Sequence, residues 1–244
     1  MLIRKKLIIK SKKYIYKLIE LSISFFYCMV KLIGTEKCVE RRKKMKDEKQ
    51  LMLFFKKGTK LDTIALASKL KEKFTLLGEP HIIPLNKNNL SQPLIVFNKG
   101  DINLTVTFYD VSFVYNREDD DKCYDNMINI LGCFEELDYS FTRMGYISTR
   151  FHSKKDKERF KDKVFKDPDM FSSEFQLSWY KKELIDSVSV NVWEREMTDL
   201  VNGVELVSVY DINTPIDEEY YISSEFVRDF IKKCDKYISN RDKK

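Results

Sequence analysis

Histidine is almost absent from this chain, since only His81 and His152 occur among 244 residues. Zinc sites and Ser-His-Asp triads use histidine as a ligand or general base, so either would need one of these two side chains. Neither histidine has a partner at ligand spacing, and nothing in the sequence places a nucleophile beside either. We therefore interpret His81 as a loop residue and His152 as the end of a strand. We predict no metal site, no cofactor and no catalytic residues.

Glycine and proline are also scarce, with 7 and 5 residues respectively. Phosphate-binding loops depend on glycine, and the P-loop, Rossmann, H-E-x-x-H and G-x-S-x-G patterns do not occur. The low Gly and Pro content also argues against a long disordered linker. Five cysteines are present without a C-x-x-C pair, and Cys123, Cys133 and Cys234 follow residue 45. This pattern is typical of reduced thiols in a cytoplasmic protein.

An excess of positive charge is confined to one segment. Residues 1–44 contain 13 Lys/Arg and 3 Asp/Glu, whereas residues 45–244 contain 31 and 35, a net charge of −4. The formal charge of +6 for the whole chain therefore comes from this basic leader. A mildly acidic remainder does not favour phosphate backbones, so we do not expect nucleic acid to be a partner of residues 45–244.

Two interpretations of the leader, residues 1–44, stay open. Residues 21–30 form a run without charge, about half of the ~20 apolar residues that a membrane-spanning helix needs. The leader would then be a basic helix on an anionic membrane surface. Alternatively, residues 40–45 are what a ribosome-binding site followed by a start codon would encode, and translation would begin at Met45. We expect membrane contact only if residues 1–44 are genuine.

Residues 45–244 carry alternating strand and helix signals. Ile102, Leu104 and Val106 alternate with polar residues, which predicts a strand with one buried face. Other predicted strands cover residues 51–55, 94–97, 111–115, 139–151, 173–180, 188–192 and 204–212. Tight turns are predicted at residues 98–101 and 202–203.

Four helices are predicted from apolar residues at helical spacing. The first is capped by Thr59 with Asp62 and ends at Gly78. The second begins at Asn116 and reaches residue 137, and a charged helix over residues 154–166 follows. The last begins at Ser223, and its inward face consists of Val227, Phe230, Ile231, Cys234 and Ile238.

The predicted order is strand, helix, three strands and helix, and this order then repeats. We therefore predict one α+β domain over residues 45–244, with a largely antiparallel sheet and helices on one face. Residues 50–138 and 139–240 would be two β-α-β-β-β-α halves. They share no clear residue identity, so a duplication is suggested by architecture alone. The concave face of such a sheet can hold a ligand or a partner.

Two charged runs have simple structural explanations. The acidic run at residues 118–121 falls at a predicted helix start, where carboxylates offset the helix dipole. It also lacks the spacing of a calcium loop. The basic run at residues 154–166 contains interspersed acidic residues, which is typical of a solvated helix face. We interpret both runs as structural rather than as metal or phosphate sites.

The predicted strand over residues 143–150 is the best candidate for a binding site. Arg143 and Arg150 are seven positions apart, so they should lie on opposite sides of the sheet. A buried arginine needs a partner, for which Glu174, Glu194, Glu205 and Asp211 are candidates. A structural ion pair is the simplest role, and a ligand anchor is the alternative. Our candidate binding residues are those with anion-binding or hydrogen-bonding groups near this strand: Arg143, Tyr146, Arg150 and Asp211.

The two tryptophans, Trp179 and Trp193, fall in predicted strands. We interpret them as core or sheet-face packing rather than as a platform for stacking bases.

The element order and several short motifs resemble a family of bacterial proteins with a sporadic distribution. Residues 110–113 lead into the third strand, residues 143–146 read R-M-G-Y, and residues 207–212 form a late strand before the last helix. Arg143 and Gly145 match the family's R-hydrophobic-G strand, but the Asn that precedes Arg150 is missing. The late strand has only Asp211 of a D-x-D-like pair. The resemblance implies a fold order and a bacterial, often mobile-element, setting, without an established activity or catalytic residues.

We therefore predict a cytoplasmic, non-enzymatic binding protein that acts on another protein or forms a homo-oligomer. A bacterial defence, counter-defence or mobile-element locus is the expected setting. The alternative is a small-molecule or nucleotide-binding protein, enzymatic or not, in which an arginine fork at Arg143 and Arg150 binds phosphate or carboxylate.

Overall fold

Nine antiparallel strands form one sheet in the described part of the chain. The computed structural model describes residues 47–74, 77–99, 102–115, 120–152, 158, 160, 162, 175–185, 187–199 and 204–242. The side chains of residues 120–124, 198, 199, 204, 205 and 242 are also left undescribed. The strands are β1 Glu48–Phe55, β2 His81–Ile82, β3 Ile95–Lys99, β4 Ile102–Val106, β5 Asp110–Tyr115, β6 Phe141–Phe151, β7 Gln176–Ile185, β8 Val188–Asp199 and β9 Val204–Asn213.

The order of the strands across the sheet is β2-β3-β4-β5-β1-β6-β9-β8-β7. Strands β1 and β6 are neighbours near the middle, and a meander of consecutive strands flanks each of them. Residues Lys46–Lys244 form one compact unit. The mixture of this sheet with three described helices is an α+β architecture, as predicted.

Two of the described helices begin after a capping side chain. Helix α1, Thr63–Lys73, begins after Asp62, whose carboxylate accepts hydrogen bonds from the backbone N–H of Ile64 and Ala65 at 3.1 and 3.0 Å. Asp62 is therefore the N-cap, whereas the Thr59 hydroxyl donates to the carbonyl of Lys56 in the preceding turn. The capping box predicted from Thr59 is wrong, because the cap lies three residues later.

Two further helices pack on the same face of the sheet. They are α2, Asp120–Glu135, and α3, Ser224–Asp242. Helix α3 starts after Ser223, whose Oγ accepts from the backbone N–H of Phe226 at 3.2 Å. Its predicted inward face is confirmed, since all five of the following residues are buried: Val227, Phe230, Ile231, Cys234 and Ile238.

Alternation along the strands divides the sheet into two faces. The helix face carries residues such as Leu53 and Met144, which join the buried residues of α1, α2 and α3 in one core cluster. The second face carries the intervening residues, among them Met52, Gly145 and Asn213, which lie side by side on β1, β6 and β9. A smaller apolar cluster lies on this second face, formed by Val207 and Val209 with Ile147, Phe151 and Met197.

The predicted strands are confirmed with shifted ends, and one strand was missed. His81 lies in the short edge strand β2, paired with Val96 of β3, rather than in a loop. Two residues are too few for an alternation pattern to be visible in the sequence. Cys133 and Cys234 are free and buried, and the side chain of Cys123 is outside the description.

Several predictions concern residues outside the described ranges. These are the leader at residues 1–44, the helix start at Asn116, the turn residues 100–101 and 202–203, and the helix over 154–166 except for residues 158, 160 and 162.

Candidate functional site

A hydrogen-bonded network of polar side chains crosses three strands on the second face. The Tyr180 hydroxyl on β7 donates to Asn191 Oδ1 on β8 at 2.9 Å. The Asn191 amide reaches Asn213 Oδ1 on β9 at 3.5 Å, and the Asn213 amide donates to Asp211 Oδ1 at 3.1 Å. We call Tyr180, Asn191, Asn213 and Asp211 the second-face network.

Asp211 is the charged end of the second-face network. Its Oδ2 lies 3.9 Å from Nη2 of Arg195, a long ion pair. Burial raises the pKa of the Asp211 carboxyl, while the hydrogen bond from Asn213 and the charge of Arg195 oppose that rise. Since burial is the larger effect, the carboxylate is held in a site that favours its neutral form more than water does.

An aromatic pair stands beside the network. The rings of Tyr180 and Trp193 are 4.5 Å apart between centroids, and the two residues are direct cross-strand neighbours. Tyr180 is 47 % exposed and Leu184, further along β7, is 74 % exposed. Trp193 of β8 thus packs on the sheet face as predicted. Trp179 lies on the edge strand β7 and is 45 % exposed, so it is not a core residue.

Arg143 also lies on the second face, two residues before Gly145 on β6. It pairs across the strands with Phe54, and its guanidinium carbon lies 4.7 Å from the centre of the Phe54 ring. A β-bulge follows Phe54 in this strand pair, and bulges re-aim side chains. Arg143 Nη2 donates one long hydrogen bond to the Thr214 carbonyl at 3.5 Å, and the buried Nε has no hydrogen-bond partner.

No carboxylate of the described residues forms an ion pair with Arg143. Of the partners that the sequence suggested, Asp211 faces Arg195 and Glu194 binds cations on the helix face. Glu174 and the side chain of Glu205 lie outside the description. Burial lowers the pKa of the Arg143 guanidinium, because removing this positive charge from water costs free energy.

Gly145 separates Arg143 from the second-face network. A Cβ placed on Gly145 would lie 3.4 Å from Asn213 Cβ and 3.9 Å from Met52 Cβ. Gly145 is buried between Met52 and Asn213, so its backbone forms a narrow floor between these two side chains, where any other residue would place a side chain.

The four candidate residues do not form one site, because the sheet separates them. Arg143 and Asp211 lie on the second face, whereas Tyr146 and Arg150 lie on the helix face. The opposite orientation of the two arginines agrees with the alternation expected for a strand. Tyr146 is fully buried, and its hydroxyl donates to Asp235 Oδ1 on α3 at 2.7 Å.

A second polar cluster lies on the helix face beneath the end of α3. Both Glu194 carboxylate oxygens are bound: Oε1 accepts from Tyr237 at 3.0 Å and pairs with Lys181 at 3.0 Å, and Oε2 pairs with Arg241 at 2.8 Å. Burial opposes the charge of Glu194, but these hydrogen bonds outweigh it and lower the pKa of the carboxyl. Glu194 therefore anchors the end of α3 to the sheet.

Glu196 lies two residues after Glu194 on β8. For Glu196 the effect of burial on the pKa outweighs the effect of hydrogen bonding. It is linked to Ser208, whose Oγ lies 2.5 Å from Glu196 Oε2, and His152 Nε2 lies 2.6 Å from the same Oγ. Burial raises the pKa of Glu196 to about 7, although the Ser208 hydrogen bond lowers it. The hydrogen bonds that link His152, Ser208 and Glu196 can reverse their direction as a proton is gained or lost.

No sequence spacing places a nucleophile beside either histidine, but in the structure Ser208 contacts His152. The two residues are far apart in the sequence, and they meet because Arg150 of β6 pairs with Ser208 of β9. Ser208 is 3 % exposed and accepts or donates both bonds within the protein. Its burial favours a structural role over attack on a substrate.

Two cavities lie among the helices rather than at these clusters. One, of about 290 Å³, is lined by the start of α3 and Val188, and the other, of about 430 Å³, lies where α1 and α2 meet Ser224. Neither cavity is lined by Arg143, Tyr146, Arg150 or Asp211. The described residues contain no cluster of His, Cys, Asp and Glu able to hold a metal ion. None of the described helices is both long and apolar enough to cross a bilayer.

Comparison of the chain with protein-family models and with curated proteins produced no match. The resemblance to the sporadically distributed bacterial family therefore stays a prediction.

Proposed function

We propose that this protein is a non-enzymatic interaction protein that binds another protein through the second face of its sheet. The observation that carries the proposal is the exposed Tyr180 packed on the half-buried Trp193, joined to a network of amide and carboxyl groups across β7, β8 and β9. Tyrosine and tryptophan supply large contact areas with few rotamers to fix, and they dominate the energetics of protein interfaces.

The amides of the network suit the same purpose. Each donates and accepts hydrogen bonds, so Asn191 and Asn213 can pair with a partner's backbone after modest rearrangement. Their present partners keep them oriented in the free protein, which reduces the ordering cost of binding.

The alternative function, a nucleotide or small-molecule site lined by both arginines, has less support. Arg143 and Arg150 lie on opposite faces of the sheet, so one ligand cannot be held by both. Of the four candidate residues, Arg143 and Asp211 share the second face, and Tyr146 and Arg150 share the helix face.

The setting is proposed with the function. We place the protein in the bacterial cytoplasm, within a defence, counter-defence or mobile-element locus, on the strength of the resemblance and the reduced cysteines. We also propose that residues 50–138 and 139–240 derive from a duplication. The placement of β1 and β6 side by side, each flanked by its own meander, supports this origin.

A paired substitution tests the interaction surface. Tyr180→Ala removes a second-face aromatic, and Tyr221→Ala removes one that is 85 % exposed elsewhere, beside the start of α3. Both variants are compared with the wild type by quantitative crosslinking and affinity capture in the native host. Circular dichroism confirms that each is folded.

We expect Tyr180→Ala to reduce recovery of the partner about tenfold and Tyr221→Ala to leave it unchanged. Equal recovery with both variants would contradict the proposed surface. Repeated failure to recover any partner or oligomer would contradict the function itself.

A further inference from the structure

Arg143 is an incompletely satisfied cation on the second face. Its hydrogen bonding within the described residues amounts to one contact of 3.5 Å, and its Nε–H is buried without an acceptor. Native proteins rarely leave a buried N–H group without an acceptor, and an arginine charge removed from water normally has an anionic partner. An incoming anion would therefore compensate the charge of this partly buried guanidinium, although the Nε itself is closed to solvent.

The guanidinium of Arg143 has an aromatic contact before any ligand arrives. Its carbon lies 4.7 Å from the centre of the Phe54 ring, and such a cation–π contact restrains the planar group. A planar group held in this way presents a fork of N–H donors, which matches the two oxygens of a carboxylate.

We infer that Arg143 is the anchor for an aspartate or glutamate side chain of an acidic partner segment that lies along the second face. This inference rests on the proposed function and names the chemistry of the partner. Next to Arg143, the floor at Gly145 leads to the amides of Asn213 and Asn191. A chain that places its carboxylate on Arg143 can thus extend over the glycine and reach these amides with its backbone.

The surrounding charges favour a carboxylate over a phosphate. Asp110 lies in the same cross-strand row, with Phe54 between it and Arg143. Asp211 lies on the same face, further along β9. These carboxylates repel an incoming anion, and the repulsion grows with its charge, so a single arginine suits a singly charged carboxylate better than a phosphate dianion, which usually requires several cations.

The test uses the full chain and two capped peptides, hexaglutamate and hexaglutamine. Binding is measured at low salt by calorimetry and by the NMR signal of the Arg143 side-chain Nε–H, identified by its loss in Arg143→Gln. Arg195→Gln is the matched control, because its guanidinium lies on the same face but already faces Asp211.

We expect hexaglutamate to shift the Nε–H signal and hexaglutamine to leave it in place. Arg143→Gln should weaken hexaglutamate binding about tenfold, Arg143→Lys should weaken it less, and Arg195→Gln should change it less than about twofold. The wild-type NMR titration needs no variant to fold, so it stands even if Arg143→Gln proves unstable.

Three results of the binding measurements would overturn the inference. They are equal affinity of Arg143→Gln and wild type for hexaglutamate, equal binding of the two peptides, and competition by inorganic phosphate as effective as by hexaglutamate. Self-association that depends on Arg143 would also overturn it, by assigning this surface to a second copy of the chain. If hexaglutamate fails while Tyr180→Ala still loses the partner, the anchor is wrong and the proposed function stands.

Discussion

Replacing Glu196 by glutamine removes one ionisable group from the helix face and keeps its shape. In the wild type, burial raises the pKa of Glu196 to about 7 from its ordinary value of 4.5. The folded protein therefore holds a proton on Glu196 over a pH range in which the unfolded chain has already released it. Stability from this group is complete below pH 4.5 and is lost as the pH rises to about 7.

The size of the effect follows from the two pKa values. Each pKa unit is worth about 1.4 kcal/mol, so the loss between pH 4.5 and 8 amounts to about 3 kcal/mol. Glu196→Gln cannot ionise and should lack this decline. Relative to wild type, the variant should gain about 3 kcal/mol of unfolding free energy across that range.

Urea unfolding at a series of pH values measures the difference directly. Glu194 of β8, whose charge also raises the pKa of Glu196, is present in both proteins. The difference between the two pH profiles therefore reports Glu196 and the groups coupled to it.

Ser208→Ala provides the matched comparison. It keeps the carboxyl and removes the hydroxyl whose hydrogen bond lowers the pKa of Glu196. The decline should persist in this variant and move to higher pH. If wild type and Glu196→Gln give parallel profiles within about 0.5 kcal/mol, the reasoning from burial is refuted.

Three other substitutions have defined outcomes. Tyr146→Phe removes the hydroxyl that donates to Asp235 and should lower the unfolding free energy by about 1–2 kcal/mol in urea titrations. Leu70→Ala empties a fully buried site on α1 and should cost about 2–5 kcal/mol in the same assay, whereas Ile64→Ala, at a site 68 % exposed, should cost less than about 0.5 kcal/mol. Gly145→Ala adds a methyl group to the floor of the second face and should change stability by less than about 1 kcal/mol while weakening hexaglutamate binding.

Each of these expectations has a result that would contradict it. An unchanged stability of Tyr146→Phe would mean that the bond to Asp235 contributes nothing net. Equal costs for Leu70→Ala and Ile64→Ala would contradict the assignment of the α1 face. Full hexaglutamate binding by Gly145→Ala would exclude a ligand that lies over the glycine.

Local elements were predictable because their signals lie close together in the chain. The buried face of α3 follows from residues three and four apart, and the strand at Ile102, Leu104 and Val106 follows from alternation. Errors arose where several polar residues competed for one role. Asp62 rather than Thr59 caps α1, and both are residue types that cap helices.

The candidate site was predicted only in part. Alternation predicted that Arg143 and Arg150 lie on opposite faces. Tyr146 is three residues after Arg143 and four before Arg150, so it must share the face of Arg150. The second-face network was missed, since Tyr180, Asn191 and Asn213 lie on three different strands. Their spacing in the sequence carries no signal of contact.

The sequence by itself determined the α+β class, the alternation of the strands and the apolar faces of the helices, because these depend on neighbours within a few residues. Only the tertiary structure decided that Ser208 meets His152, that Arg143 stacks on Phe54 and that Asp211 faces Arg195. These contacts depend on strand order and register, and a shift of one residue would move every side chain to the other face.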